Sequence, residues 1–150
     1  MITNAIASDA KRLTNVALKS KAFWGYSNEL IESWREDLTV SEQMVQQMIV
    51  YKYMQDDEVV GFYILNQPEN KTIELEFLFV LPKFIGKGIG KQLLYHSFEK
   101  AKSLHCLDMI VLVDPNAKYF YKSKGFVTIE KKKSSIANRF LPLMKKDLNK

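Results

Sequence analysis

Three glycines at alternate positions, Gly86, Gly88 and Gly90, lie between a β-rich run that ends near Val80 and a stretch whose apolar residues recur at helical spacing. The segment Val80-Leu81-Pro82-Lys83-Phe84-Ile85-Gly86-Lys87-Gly88-Ile89-Gly90-Lys91 therefore reads as strand, tight turn, helix. Glycine lets the backbone turn sharply and present its N–H groups. A helix start adds N–H donors without an intrahelical acceptor, together with partial positive charge. Lys87 and Lys91 add full charges. In outline this is an anion site suited to phosphate. It is not a Walker loop, because Ile85 stands at the required first glycine and Gln92 follows Lys91. The third glycine comes one residue too early for a dinucleotide fingerprint, and the loop follows the fourth strand rather than the first. A tight structural turn with exposed lysines is the plain alternative.

At 150 residues, with 47% hydrophobic and 26% charged residues, the chain suits one globular domain over 1–150 and excludes a disordered or collagen-like class. No apolar run approaches the roughly 18 residues needed to span a bilayer, so no membrane role is expected. Met1-Ile2-Thr3-Asn4 opens no secretory pattern, and a cytoplasmic location is the expectation. The lone Cys106 excludes a disulfide framework, and His96 and His105 have no metal-ligand spacing, so no metal is expected. The net charge of +5 fits an anionic partner, although solubility alone would also account for it. Lys131-Lys132-Lys133 and the tail Lys145 to Lys150 carry much of the excess. They lack interleaved aromatics or a groove-entering helix, so they read as solvated strand edges and a tail, and nucleic acid is not expected.

Element signals give the order β-α-α-β-β-β-α-β-α-β-β, an α/β (α+β) chain. An edge strand covers Ile2 to Ala7. Leu13, Val16, Ala17 and Ser20 mark one helical face, and Leu30, Ile31 and Trp34 another. Thr39 and Glu42 have capping-box spacing, which predicts a short helix from Ser41. Ile49 to Met54 and Val59 to Leu65, joined at Asp56-Asp57, form a hairpin. A third strand covers Thr72 to Leu81. Ile89, Leu93, Ser97, Phe98 and Ala101 share a helix face, Asp108 to Val113 is a short buried strand, and a helix opening at Pro115 ends at Gly125. Phe126 to Ile129 and Arg139 to Met144 close the sheet. Along the third strand, Ile73, Leu75, Phe77 and Phe79 point one way, and Glu74, Glu76, Leu78 and Val80 the other.

The glycine run resembles motif A of the GNAT (N-acetyltransferase) superfamily, R/Q-x-x-G-x-G/A. Asp114-Pro115-Asn116-Ala117-Lys118-Tyr119-Phe120-Tyr121-Lys122-Ser123-Lys124-Gly125-Phe126 is similar to that family's later motif, N-x-x-A-x-x-x-Y-x-x-x-G-F. The element order looks like the family's over nearly the whole chain. Two departures stand out: Ile85 replaces the usual Arg or Gln, and Asp114 an Asn.

The resemblance implies a mixed, mostly antiparallel sheet flanked by helices, and acetyl-CoA as donor. It implies that Leu78, Phe79 and Val80 pair with the pantetheine arm, that Ile85, Gly86, Lys87, Gly88, Ile89, Gly90 and Lys91 hold the pyrophosphate, and that Asn116 and Tyr121 approach the pantetheine and sulfur. It implies direct attack on the thioester, and a primary amine of a small molecule is the expected acceptor. An alkyl amine is mostly ammonium at neutral pH, and a carboxylate can take its proton. Glu76, nearer the loop than Glu74, is the expected base. A solvated strand face is the alternative for both. Tyr121 matches the tyrosine that protonates the leaving thiolate, and otherwise reads as a core aromatic. Trp24, Tyr26, Glu74, Ser135 and Arg139 are the candidate acceptor contacts, Arg139 suiting a carboxylate or phosphate. A non-catalytic acyl-CoA-binding module, a protein acetyltransferase and a homodimer remain open.

Overall fold

Four short or medium helices separate the first strand from the second. The computed structural model describes residues 1–136 and 139–149. Ala137 and Asn138, between the last two expected strands, and Lys150 of the expected tail lie outside the described residues. In chain order the elements are β1 (Ile2–Asn4), α1 (Ala10–Ala22), α2 (Asn28–Ser33), α3 (Arg35–Leu38), α4 (Glu42–Gln47), β2 (Ile49–Gln55), β3 (Glu58–Leu65), β4 (Thr72–Val80), α5 (Ile89–Ser103), β5 (Asp108–Leu112), α6 (Lys118–Ser123), β6 (Val127–Lys133) and β7 (Phe140–Asp147). The seven-stranded, mostly antiparallel sheet has the order β1-β2-β3-β4-β5-β7-β6, and β4–β5 is its parallel pair. The fold class matches the expectation, with corrections in detail.

The expected two helices plus a short one before β2 are four. The Thr39–Glu42 capping box does not form. Thr39 instead ends α3, its hydroxyl donating to the Arg35 carbonyl at 2.7 Å, and Ser41 caps α4 by accepting from the Met44 N–H at 3.1 Å. β6 runs through Lys131–Lys133, and β7 takes in Lys145 and Lys146, which were read as tail. Among the described residues no helix is long and apolar enough to cross a membrane.

Main-chain contacts divide the chain into two compact units, residues 1–65 with 77–97 and residues 66–76 with 98–150. In the first unit β2 and β3 form a hairpin whose loop, Asp56 and Asp57, has both φ angles positive (52° and 63°). That is the backbone of a type I′ turn, which matches strand twist and tolerates Asp. From Val59 to Leu65 every residue is buried, so β3 reads as a continuous apolar run. Leu13, Val16, Ala17 and Ser20 all turn inward as their spacing predicts. Gly61 is needed for close approach: a Cβ there would meet Phe79 O and Leu93 Cδ1 at 3.0 Å each. Asp9, with its side chain 2% exposed, pairs with Lys52 at 2.8 Å and accepts the Ile6 N–H at 2.9 Å.

In the second unit β4 pairs with β5 over Thr72–Leu75 and Asp108–Val111, β5 with β7, and β7 with β6. α6 ends in a Schellman motif. Gly125 (φ 94°) donates to Lys122 O at 3.2 Å and Phe126 to Tyr121 O at 3.1 Å, and the Tyr121 and Phe126 rings meet edge to face at 5.4 Å. Every residue of β6 is exposed.

Burial alone would raise the Asp9 pKa, but the Ile6 N–H and Lys52 outweigh it and hold the carboxyl below its ordinary range. A depressed folded pKa stabilises the fold above the unfolded carboxylate range, and that stabilisation is lost as pH falls through the folded value. Asp9→Asn, which leaves the Lys52 ammonium without its carboxylate, is expected to lower stability at pH 7 by about 3 kcal/mol. In thermal melts from pH 7 to 2.5, the gap between wild type and variant should narrow in the acid range.

Candidate functional site

Gly86 and Gly88 hold φ angles of 85° and 80°, and a Cβ built on either meets nothing within 4 Å. Conformation, not crowding, therefore requires glycine at both positions, and the space before them is open. Upstream, the turn at Pro82–Phe84 closes on itself, the Phe84 N–H bonding Leu81 O at 2.9 Å and the Ile85 N–H bonding Pro82 O at 3.2 Å. The Gln92 N–H bonds Gly88 O at 3.0 Å as α5 begins. The N–H groups of Ile89, Gly90 and Lys91 precede that bond, so helix geometry leaves them without an intrahelical acceptor. Lys83 and Lys87 place their ammonium groups over the Phe84 ring at 5.2 and 5.5 Å, and Lys91 lies over Tyr95 at 5.6 Å. Together these groups can hold a doubly charged anion.

In the same unit, Leu78, Phe79 and Val80 at the end of β4 are half-buried. Ile85 is 43% exposed beside the glycines. Trp24 is exposed and packs edge to face on Phe23, whereas Tyr26 packs on Trp34 at 4.9 Å, with the Lys21 ammonium over both rings.

The second unit holds Glu74, Glu76, Asn116, Tyr121, Ser135 and Arg139. Asn66 Nδ2 donates to Glu76 Oε1 at 2.5 Å and to Glu74 Oε1 at 3.4 Å, so one amide bridges the two carboxylates. Glu74 also lines a cavity of about 290 Å³, with Asn66, Glu69, Asn70, Thr72 and Ile110. Burial first, and then the neighbouring Glu76 carboxylate, push the Glu74 pKa above the ordinary range, while the Asn66 bond pulls it down. Tyr121 is buried on α6, and burial pushes its phenol pKa up, which keeps the O–H intact at neutral pH. Asn116 donates both its main-chain N–H and its Nδ2 to Asp114 Oδ1, at 2.9 and 3.0 Å. Ser135 is exposed, and Arg139 donates from Nε to Ser134 Oγ at 3.2 Å within its own turn. The structure thus groups the glycine run with the end of β4 in one unit, and the carboxylates with the tyrosine in the other.

Sequence reasoning missed Asn66. Its contacts lie eight and ten residues downstream, set by the return of the chain into β4, and no local pattern announces them.

A family model described as an acetyltransferase (GNAT) domain matches residues 21–148. No curated protein matches the sequence. Among solved structures, the chain is similar to PaiA N-acetyltransferase from Thermoplasma acidophilum in complex with coenzyme A, with 26% identity, a TM-score of 0.82 and 98% of each chain covered. It is also similar to a GCN5-related N-acetyltransferase from Rhodopseudomonas palustris (21% identity, TM-score 0.83, 98% of this chain and 94% of that one). A third is the ribosomal-protein-S18-alanine N-acetyltransferase from Escherichia coli (15% identity, TM-score 0.74, 99% and 93% covered).

Asn66→Ala removes the bond that favours ionised Glu74. Carboxyl-detected NMR titration should show the Glu74 pKa moving further up in that variant, and an unchanged midpoint would refute the bridge.

Proposed function

The chain belongs to the GNAT acetyltransferase family, and from that premise we propose that it moves an acetyl group from acetyl-CoA to a primary amine of a small molecule by direct attack, acting in the cytoplasm as a single catalytic domain. The family uses acetyl-CoA, and the Thermoplasma relative is in complex with coenzyme A. The observation that carries the reading is the open glycine turn before the first amides of α5, which by helix geometry have no intrahelical acceptor. Those residues fit a pyrophosphate: Gly86 and Gly88 leave room for its oxygens, Ile89, Gly90 and Lys91 supply N–H donors, and Lys87 and Lys91 supply charge. Ile85 would flank it without donating, since its N–H is held by Pro82 O.

When bound, acetyl-CoA supplies an activated thioester. Leu78, Phe79 and Val80 follow the stretch of β4 paired with β5, and their main-chain groups would bond the pantetheine amides, with the Val80 N–H polarising the carbonyl. Asn116 would approach the arm through its side-chain oxygen, its Nδ2 being held by Asp114.

Glu76 would take the proton of the acceptor ammonium at a carboxylate oxygen, directly or through a water, so that the neutral amine forms the new C–N bond. Tyr121 would give its phenolic proton to the sulfur as the C–S bond breaks. Glu74 would hold the acceptor's cationic end, since the cavity it lines carries carboxylates and amides. Trp24 and Tyr26 would wall the acceptor, and Ser135 and Arg139 would read a second, anionic group on it.

Coenzyme A release measured over an amine panel tests the reaction, and tight binding without turnover for any amine would favour a binding module instead. Tyr121→Phe is expected to lower turnover by about 100-fold while leaving coenzyme A affinity within about twofold, and an unchanged rate would remove Tyr121 as the acid. Gly88→Asp, which strains a positive φ and adds a like charge, should abolish binding of acetyl-CoA in calorimetry.

A further inference from the structure

Leu93 of α5 stands against Gly61 of β3, and Ile89, Leu93, Leu94 and Ser97 are all buried. Apolar contacts are non-directional, so they define a helix's rotation about its axis less sharply than a hydrogen bond does. On a helix of about 2.3 Å radius, a turn of roughly 20° moves a Cα by about 0.8 Å. A shift of that size is enough to spoil hydrogen bonds to a phosphate, whose distances span only a few tenths of an ångström.

Two polar ties stand on one face of this helix, four residues apart. The Tyr53 hydroxyl donates to Gln92 Oε1 at 3.3 Å, and the Tyr63 hydroxyl lies 2.7 Å from His96 Nδ1. The second is the shorter and the better enclosed. Tyr63 is fully buried in β3, Tyr51 of β2 stacks on its ring at 5.5 Å and 21°, and Tyr51 also lies 4.6 Å from the imidazole. Hydrogen bonds are directional where apolar contacts are not. We propose that the Tyr63–His96 hydrogen bond is a positioning device for the cofactor: it fixes the rotation of α5 and so aims the amides of Ile89, Gly90 and Lys91 at the anion. His96 and Tyr63 are positioning residues and touch no reacting atom. Donor and acceptor along this bond follow the imidazole tautomer: with the ring proton on Nε2, the Tyr63 O–H donates and Nδ1 accepts. Burial, with the Tyr51 phenol adding to it, pushes the Tyr63 pKa up and keeps that O–H in place.

This inference rests on the reading that the start of α5 holds coenzyme A, and the test separates the two. Coenzyme A is titrated calorimetrically into the wild-type chain, Tyr63→Phe, His96→Leu and His96→Asn, each well below its melting temperature. Asn sets a side-chain oxygen near the place of Nδ1 and keeps an acceptor. The expected result is a roughly three- to tenfold loss of affinity for Tyr63→Phe and His96→Leu, the range of one hydrogen bond, with affinity restored in His96→Asn. Amide resonances of Ile89 to Lys91 should shift on adding coenzyme A to the wild type, and shift less in Tyr63→Phe. Wild-type binding with equal affinity and equal amide shifts in Tyr63→Phe and His96→Leu overturns the inference alone, whatever happens to their melting temperatures. Should Tyr63→Phe not fold, the two His96 variants decide by the same criterion. Absence of coenzyme A binding in the wild type overturns the cofactor reading, and this inference with it.

Discussion

The amides of Ile89, Gly90 and Lys91 are strong donors that the helix itself cannot satisfy, and they must face open space to be of use. Much of the first unit holds them there. Gly61, which bears no functional group, lets β3 approach the Phe79 main chain and Leu93, and so sets how near the helix comes. The Leu81 N–H bonds Val60 O at 2.8 Å, tying the end of β4 to β3 just before the chain turns. The 3-10 turn at Pro82–Phe84 then uses its own carbonyls, so the glycines that follow are released to positive φ. A turn of this sort is built mostly by residues that lie outside it.

The pattern Y-x-x-x-G-F has an architectural reading that stands without any chemistry. Gly125 stops α6 because its φ of 94° is open to glycine, and Phe126 covers Tyr121 because the Schellman geometry brings those two residues together. The helix stop therefore fixes the tyrosine ring before any catalytic demand is made of it. That reading limits what the motif alone can say. A chain could keep all three residues for the turn and have no reaction to perform.

Much of the fold was legible from periodicity. The inward faces of α1 and α5 and the alternation along β4 follow directly from the residue spacing, because burial imposes the period. The glycine turn was legible because few residues other than glycine tolerate its backbone. The region from Trp34 to Met48 was not, since Ser, Thr and Glu near one another allow several caps, and the one that forms depends on where α3 happens to end. The lengths of β6 and β7 were also misjudged: lysines in sequence look like a tail, yet ladder hydrogen bonds need only backbone. Asn66 and the Tyr63–His96 pair escaped for a shared reason. Their partners are brought near by sheet register and helix docking, which no window of adjacent residues encodes.

β6 terminates the sheet with every residue exposed, and three consecutive lysines occupy its far half. Their mutual repulsion with a like neighbour is what keeps a bare strand rim from recruiting another rim. Resistance to rim-to-rim association should accordingly rest on the side chains of Lys131, Lys132 and Lys133. Reagents that cap amino groups would remove that repulsion and favour association through the β6 rim.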